Sequence, residues 1–141
     1  ENRTLVMAAV QQNGGALQYA IQDLQGDKGV ALEAVAQDGL ALQFVAAELR
    51  DDADVILRAL QQNGLALALV HSKNRSDRRL VLEAVRQNGL ALRLAPHGLR
   101  RDREVVRTAV LSNVQALEMA HAHLREDEDI VLEAVQANGE A

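Results

Sequence analysis

The sequence predicts an all-α protein, a right- or left-handed α-solenoid in which short helix pairs stack along the chain. Three observations predict it. The phrase Leu32–Leu42 returns as near-copies at Leu57–Leu67 and Leu82–Leu92, always 25 residues on, with looser versions at Met7–Leu17 and Arg107–Leu117 and a shortened one from Leu132. Repetition at a fixed offset is the signature of a repeat architecture. Hydrophobic residues make up 48% of the chain and are mostly Leu, Val and Ala, with Tyr19 and Phe44 the only aromatics and Pro96 the only proline. That mixture favours closely packed helices over strands. Units beginning near residues 2, 27, 52, 77, 102 and 127 give about five and a half repeats. They are read as one domain spanning residues 1–141, a fragment of a longer protein.

Each unit opens on an Asp, at 27, 52, 77, 102 and 127, with Asn2 standing in for the first. An Asp or Asn before an apolar-periodic stretch is an N-cap that accepts the orphan N–H groups of a helix start. Helix A follows, and in unit two its inward stripe is Val30, Ala31, Ala34 and Val35, with Glu33 pointing away. It is expected to stop at Asn13-Gly14, Asp38-Gly39, Asn63-Gly64, Asn88-Gly89 and Asn138-Gly139, where glycine would supply a left-handed residue.

Helix B is expected to run about ten residues, as from Leu40 to Leu49, with Ala41, Leu42, Val45 and Leu49 inward and Leu40 and Phe44 beside them. So wide an apolar arc needs neighbours on two sides, as in a stacked array. Two alanine columns, Ala9, Ala34, Ala59, Ala84, Ala109 and Ala134 in helix A and Ala16, Ala41, Ala66, Ala91 and Ala116 in helix B, mark expected A–B crossing points. Val114 takes the place of the turn glycine, so the turn of unit five is expected to differ, a β-branched residue resisting positive φ. Both ends look like interior units, apart from Glu140, which suggests flanking protein or end-to-end self-association.

The pattern Asp-x-x-Val/Ile-x-Leu-x-Ala-Val-x-x-Asn-Gly-x-Ala-Leu, seen from Asp77 to Leu92, resembles the tandem helical repeat family catalogued as domain of unknown function 4116 (DUF4116). The resemblance covers essentially the whole chain. It implies a repeat architecture and carries no activity, cofactor or partner with it. Leucine-rich variant and HEAT-like repeats share the helix-pair idea with other periods.

The net charge of −5 conceals a division. Residues 73–107 hold ten Lys/Arg and four Asp/Glu, a balance of +6; the remainder holds five and sixteen, a balance of −11. Segregation of this kind bears on partners. Two irregularities fall within the basic stretch: His71-Ser-Lys-Asn-Arg-Ser-Asp77, and Pro96-His97-Gly98, which should end or kink helix B near Ala95. Lys73, Arg75, Arg78, Arg79, Arg93, His97, Arg100, Arg101 and Arg103 are therefore the candidate contact residues for an acidic protein or larger assembly, with Gln18 and Gln43 as lesser positions. The plainer reading pairs these arginines with neighbouring Asp caps and helix-end carbonyls, and gives the same structural role to the column Arg50, Arg75, Arg100 and Arg125.

Other classes find less support. His71, His97, His121 and His123 lie near helix-B ends without converging as metal ligands, and no metal or cofactor is expected. Overall acidity and the lack of aromatics in the basic stretch disfavour nucleic acid, although a polyanion remains an alternative. No nucleophile–base pair, phosphate loop or carboxylate dyad suggests an enzyme; a regulatory arm of an enzyme encoded elsewhere is a further alternative. There is no cysteine and no apolar run of membrane-spanning length, and the compartment is left open. The acidic stretch Glu126–Asp129 reads as a solvated loop and cap. The resulting expectation is a non-catalytic scaffold for protein–protein interaction.

Overall fold

The computed structural model describes residues 2–20 and 22–139, and among them there are helices and no strands. Glu140 and the side chain of Asn2 lie outside the described residues. Each full unit contains three segments. A long α-helix comes first: Asn2–Gln12, Lys28–Gln37, Ala53–Gln62, Arg78–Gln87 and Arg103–Ser112, with Glu128–Gly139 closing the series. A six-residue 3-10 helix follows: Gly14–Tyr19, Gly39–Phe44, Gly64–Leu69, Gly89–Leu94 and Val114–Met119. The third is a short helix: Gln22–Gln25, Ala47–Arg50, Ser72–Arg75, Leu99–Arg101 (3-10) and Ala122–Arg125.

The aspartates cap as their position requires. Asp27 accepts the Val30 N–H at 3.1 Å, Asp52 those of Asp54 and Val55, Asp77 that of Arg79, and Asp127 those of Asp129 and Ile130. Val30, Ala31, Ala34 and Val35 are fully buried, as are their counterparts Val55, Ala59, Leu60, Val81, Ala84 and Val85. Among the described residues no polar or charged residue is buried, so the interior side chains are held by apolar contact.

The ten-residue helix B is not formed, and this corrects the reading from sequence. Gly39, Leu42 and Val45 are inward at intervals of three, which suits the 3.0-residue turn of a 3-10 helix. The chain then extends at Val45 (φ −74°, ψ 142°) and Ala46 (φ −57°, ψ 146°) before the short helix begins. The break near Ala95 therefore recurs in every full unit. Pro96 occupies the column of Ala46, His71 and His121, whose φ of −57° to −59° matches the fixed angle of proline. Proline does forgo one bond: Ala46 and His121 donate their N–H groups to the carbonyls of Gln25 and Arg100 in the preceding unit.

The turn glycines also require correction, because none has a positive φ. The residue before each, as in Asp38 (φ −148°, ψ 107°), donates its N–H to the helix behind and accepts the N–H of Leu40 ahead. One Asn or Asp thus closes the long helix and caps the 3-10 helix. Glycine is needed because the next unit lies against it. A Cβ on Gly39 would stand 2.5 Å from the Ala59 carbonyl oxygen, and Gly14, Gly64 and Gly89 meet Ala34, Ala84 and Ala109 in the same way. The helix-A alanine column accordingly marks crossings between successive units. The glycine N–H groups are met across the same seam, Gly39 by Gln62 Oε1 at 2.7 Å, Gly64 by Gln87, and Gly89 by Ser112 Oγ at 3.0 Å.

Unit five breaks this device without altering its turn. Asn113 keeps the extended conformation and accepts the Gln115 N–H, so no local difference in the turn appears. What changes is the joint with the last helix: Val114 replaces glycine, and Ala137 replaces the glutamine or serine acceptor. A cleft of about 270 Å³ lies there, with Leu111, Val114, Ala134 and Ala137 among its walls. The last helix continues through Asn138, where a stop was expected.

Candidate functional site

Every substantial contact between segments links the same unit or neighbouring units. Long helices pack on long helices, 3-10 helices on 3-10 helices, and each short helix on the long helix that follows it. The candidate basic residues divide into two groups.

The first group is consumed in a ladder between units. A basic residue in the first turn of a long helix reaches the start of the next: Arg3 to Asp27 at 2.8 Å, Lys28 to Asp52 and Asp54, Arg78 to Asp102 at 2.8 Å and Glu104 at 2.8 Å, and Arg103 to Asp127 and Asp129. Hydrogen bonding from Arg3 and Arg78 holds the carboxyls of Asp27 and Asp102 below the usual range. Asp52 is lowered as well; burial opposes this, but Lys28 and two backbone N–H groups prevail. Ala53 breaks the ladder where the next unit carries Arg79, a cation that a basic residue at 53 would meet. Lys73 is likewise engaged, with Asp51 at 3.3 Å, and Asn74 bonds the same carboxylate at 2.8 Å.

The second group is Arg75, Arg79, Arg93, Arg100 and Arg101, which form no ion pair among the described residues. Arg50 shows the structural use of its column, donating to the carbonyls of Val45 at 2.7 Å and Gln43 at 2.9 Å. Arg100 departs from it, since its Nε is enclosed without an acceptor among the described residues.

To Arg100 and His97 the structure brings His121, Met119 and two alanines, which the sequence pattern did not join to them. His97 and His121 face each other edge-on, ring centroids 5.7 Å apart, across the seam between units four and five. With Arg100, Met119 and two alanines they line a cavity of about 250 Å³. Desolvation lowers the His121 pKa, and Arg101, His97, His123 and Arg125 lower it further. His121, His123 and Arg125 were legible as neighbours of this site only through the 25-residue offset. Among the described residues no group of three His, Cys, Asp or Glu side chains stands close enough to hold a metal ion, and no helix is long and apolar enough to cross a membrane.

Residues 2–50, 27–74 and 77–125 match the family model described as Domain of unknown function (DUF4116), each match taking in two successive units. No curated protein and no solved structure matches the chain. With the family pattern running from the first unit through the fifth, the chain belongs to the DUF4116 family.

Proposed function

We propose that the chain is a single α-solenoid domain of about five and a half units and a non-catalytic scaffold, presenting a basic edge to an acidic protein partner. Contacts confined to neighbouring units support the solenoid, because stacked repeats touch only their neighbours. The observation that carries the functional reading is the second group of arginines. Arg75, Arg79, Arg93, Arg100 and Arg101 crowd units three and four without carboxylate partners among the described residues, while Arg3, Lys28, Arg78 and Arg103 are all paired along the ladder. Like charges held together repel one another, and an acidic partner relieves that repulsion while steering its own approach.

The test is capture from a lysate at low salt with the full chain and with an Arg79→Glu, Arg93→Glu, Arg101→Glu variant. Acidic proteins retained by the parent and lost from the variant support the reading. The same proteins on both would refute it, and retention of nucleic acid alone would favour the polyanion alternative.

A further inference from the structure

We propose that the cavity between units four and five, walled by His97, Arg100 and His121, is a binding site for a doubly charged tetrahedral oxyanion of the phosphate class. The inference rests on the reading of this edge as the surface for an acidic partner, and names the group that the edge receives.

Four observations converge on it. The cavity, about 250 Å³, has two imidazoles and a guanidinium in its wall and no carboxylate. His121 Nδ1 accepts the His123 N–H at 3.2 Å, which assigns the neutral ring's proton to Nε2 and leaves that N–H as a donor. Arg100, whose enclosed Nε has no acceptor among the described residues, carries its guanidinium in the wall of the same cavity without a carboxylate partner there. Gly98, next to His97, sits in the column of Asp23, Glu48, Lys73 and His123, and a Cβ there would meet nothing within 4 Å, so this position adds no side chain beside His97. The groups acting on His121 come from both packed segments: His97 and Arg101 from unit four, His123 and Arg125 from unit five. Glu118 on the 3-10 helix and Glu126 beyond the short helix do not figure among them. Without an anion, desolvation and the neighbouring Arg101 and Arg125 disfavour imidazolium; a bound dianion opposes them and favours a proton on Nδ1 in exchange for the His123 N–H bond.

The test uses the full chain and sodium sulfate, whose charge does not change over the working range, against chloride at equal ionic strength. Imidazole resonances of His97 and His121 are followed at about pH 6 and about pH 8, on either side of the ordinary histidine value. Saturable shifts at both rings are expected, with affinity on the order of tenfold higher at the acidic pH and lost in Arg100→Ala and in His97→Gln. Non-saturating shifts, an equal response to chloride, or the same affinity in both variants would overturn the proposal. Phosphate and a phosphoserine peptide supply the second arm: a peptide that moves the same two resonances more tightly than phosphate identifies a presented group, and phosphate alone identifies the unattached ion. Arg79→Glu with Arg93→Glu leaves the sulfate response intact while removing partner capture, so either reading can fail without the other.

Discussion

Replacing Gly39 with alanine tests the joint between units directly. Gly39 has a negative φ, so alanine meets no backbone penalty there, and a relaxed site would gain about 0.4–1 kcal/mol from a stiffer unfolded chain. The added Cβ would instead lie 2.5 Å from the Ala59 carbonyl oxygen, where real Cβ contacts do not fall below 3.0 Å, and 3.0 Å from the Asn63 Cβ. These neighbours are main chain or the first side-chain atom of a fixed helix, so the whole of unit three must retreat by about half an ångström. It would also stretch the Gly39 N–H to Gln62 bond. Overpacking of this kind costs about 1–3 kcal/mol, and at about 2–4 °C per kcal/mol the melting temperature should fall by several degrees. Gly98→Ala is the control, since its Cβ enters open space at φ −61°, ψ −36°; it should gain about 0.4–1 kcal/mol. Urea and thermal unfolding of the two variants decide the matter. If Gly39→Ala is as stable as Gly98→Ala, the close approach of successive units is wrong.

Ala84→Leu, at a fully buried crossing, should cost about 1–3 kcal/mol by denaturant unfolding. Ala53→Arg combined with Arg79→Glu rebuilds the missing rung on the pattern of Arg78 with Asp102 and Glu104; it should raise the melting temperature at low salt while weakening partner capture, and a gain that survives molar salt would deny the ionic origin. Asp27 and Asp102 have folded values lowered from 3.8, so the stability they contribute is complete above that value and is lost as pH falls through the lowered values. Urea midpoints should therefore decline below about pH 4, less steeply in Asp102→Asn.

The period, the aspartate caps and the buried stripe of the long helix were legible because each depends on residues within one unit. The second half of the unit was not. Leu40, Leu42, Phe44 and Leu49 satisfy an α-helical arc as well as a 3-10 turn followed by an extended pair, and only packing against the adjoining unit chooses between them. The role of the glycines was hidden for a related reason: the Ala59 carbonyl that forbids a side chain at Gly39 lies twenty residues further on. In the candidate site, Arg78 and Arg103 carried the same sequence signal as Arg79 and Arg101. Their separation depended on which carboxylate the next helix start presents. The histidine pair was hidden because His97 and His121 belong to different columns and meet only across a seam.

Val114 and Ala137 give the array an unequal joint. At the other described seams a carbonyl nests on a bare glycine, and at three of them the glycine amide finds a side-chain acceptor; the closing helix has neither hold. Pulled or warmed, the molecule should tear there before anywhere else, shedding one helix while the preceding units stay folded. Amide exchange would register this as a terminal segment released well below the melt of the body, and restoring Val114→Gly with Ala137→Gln should bring the two events together.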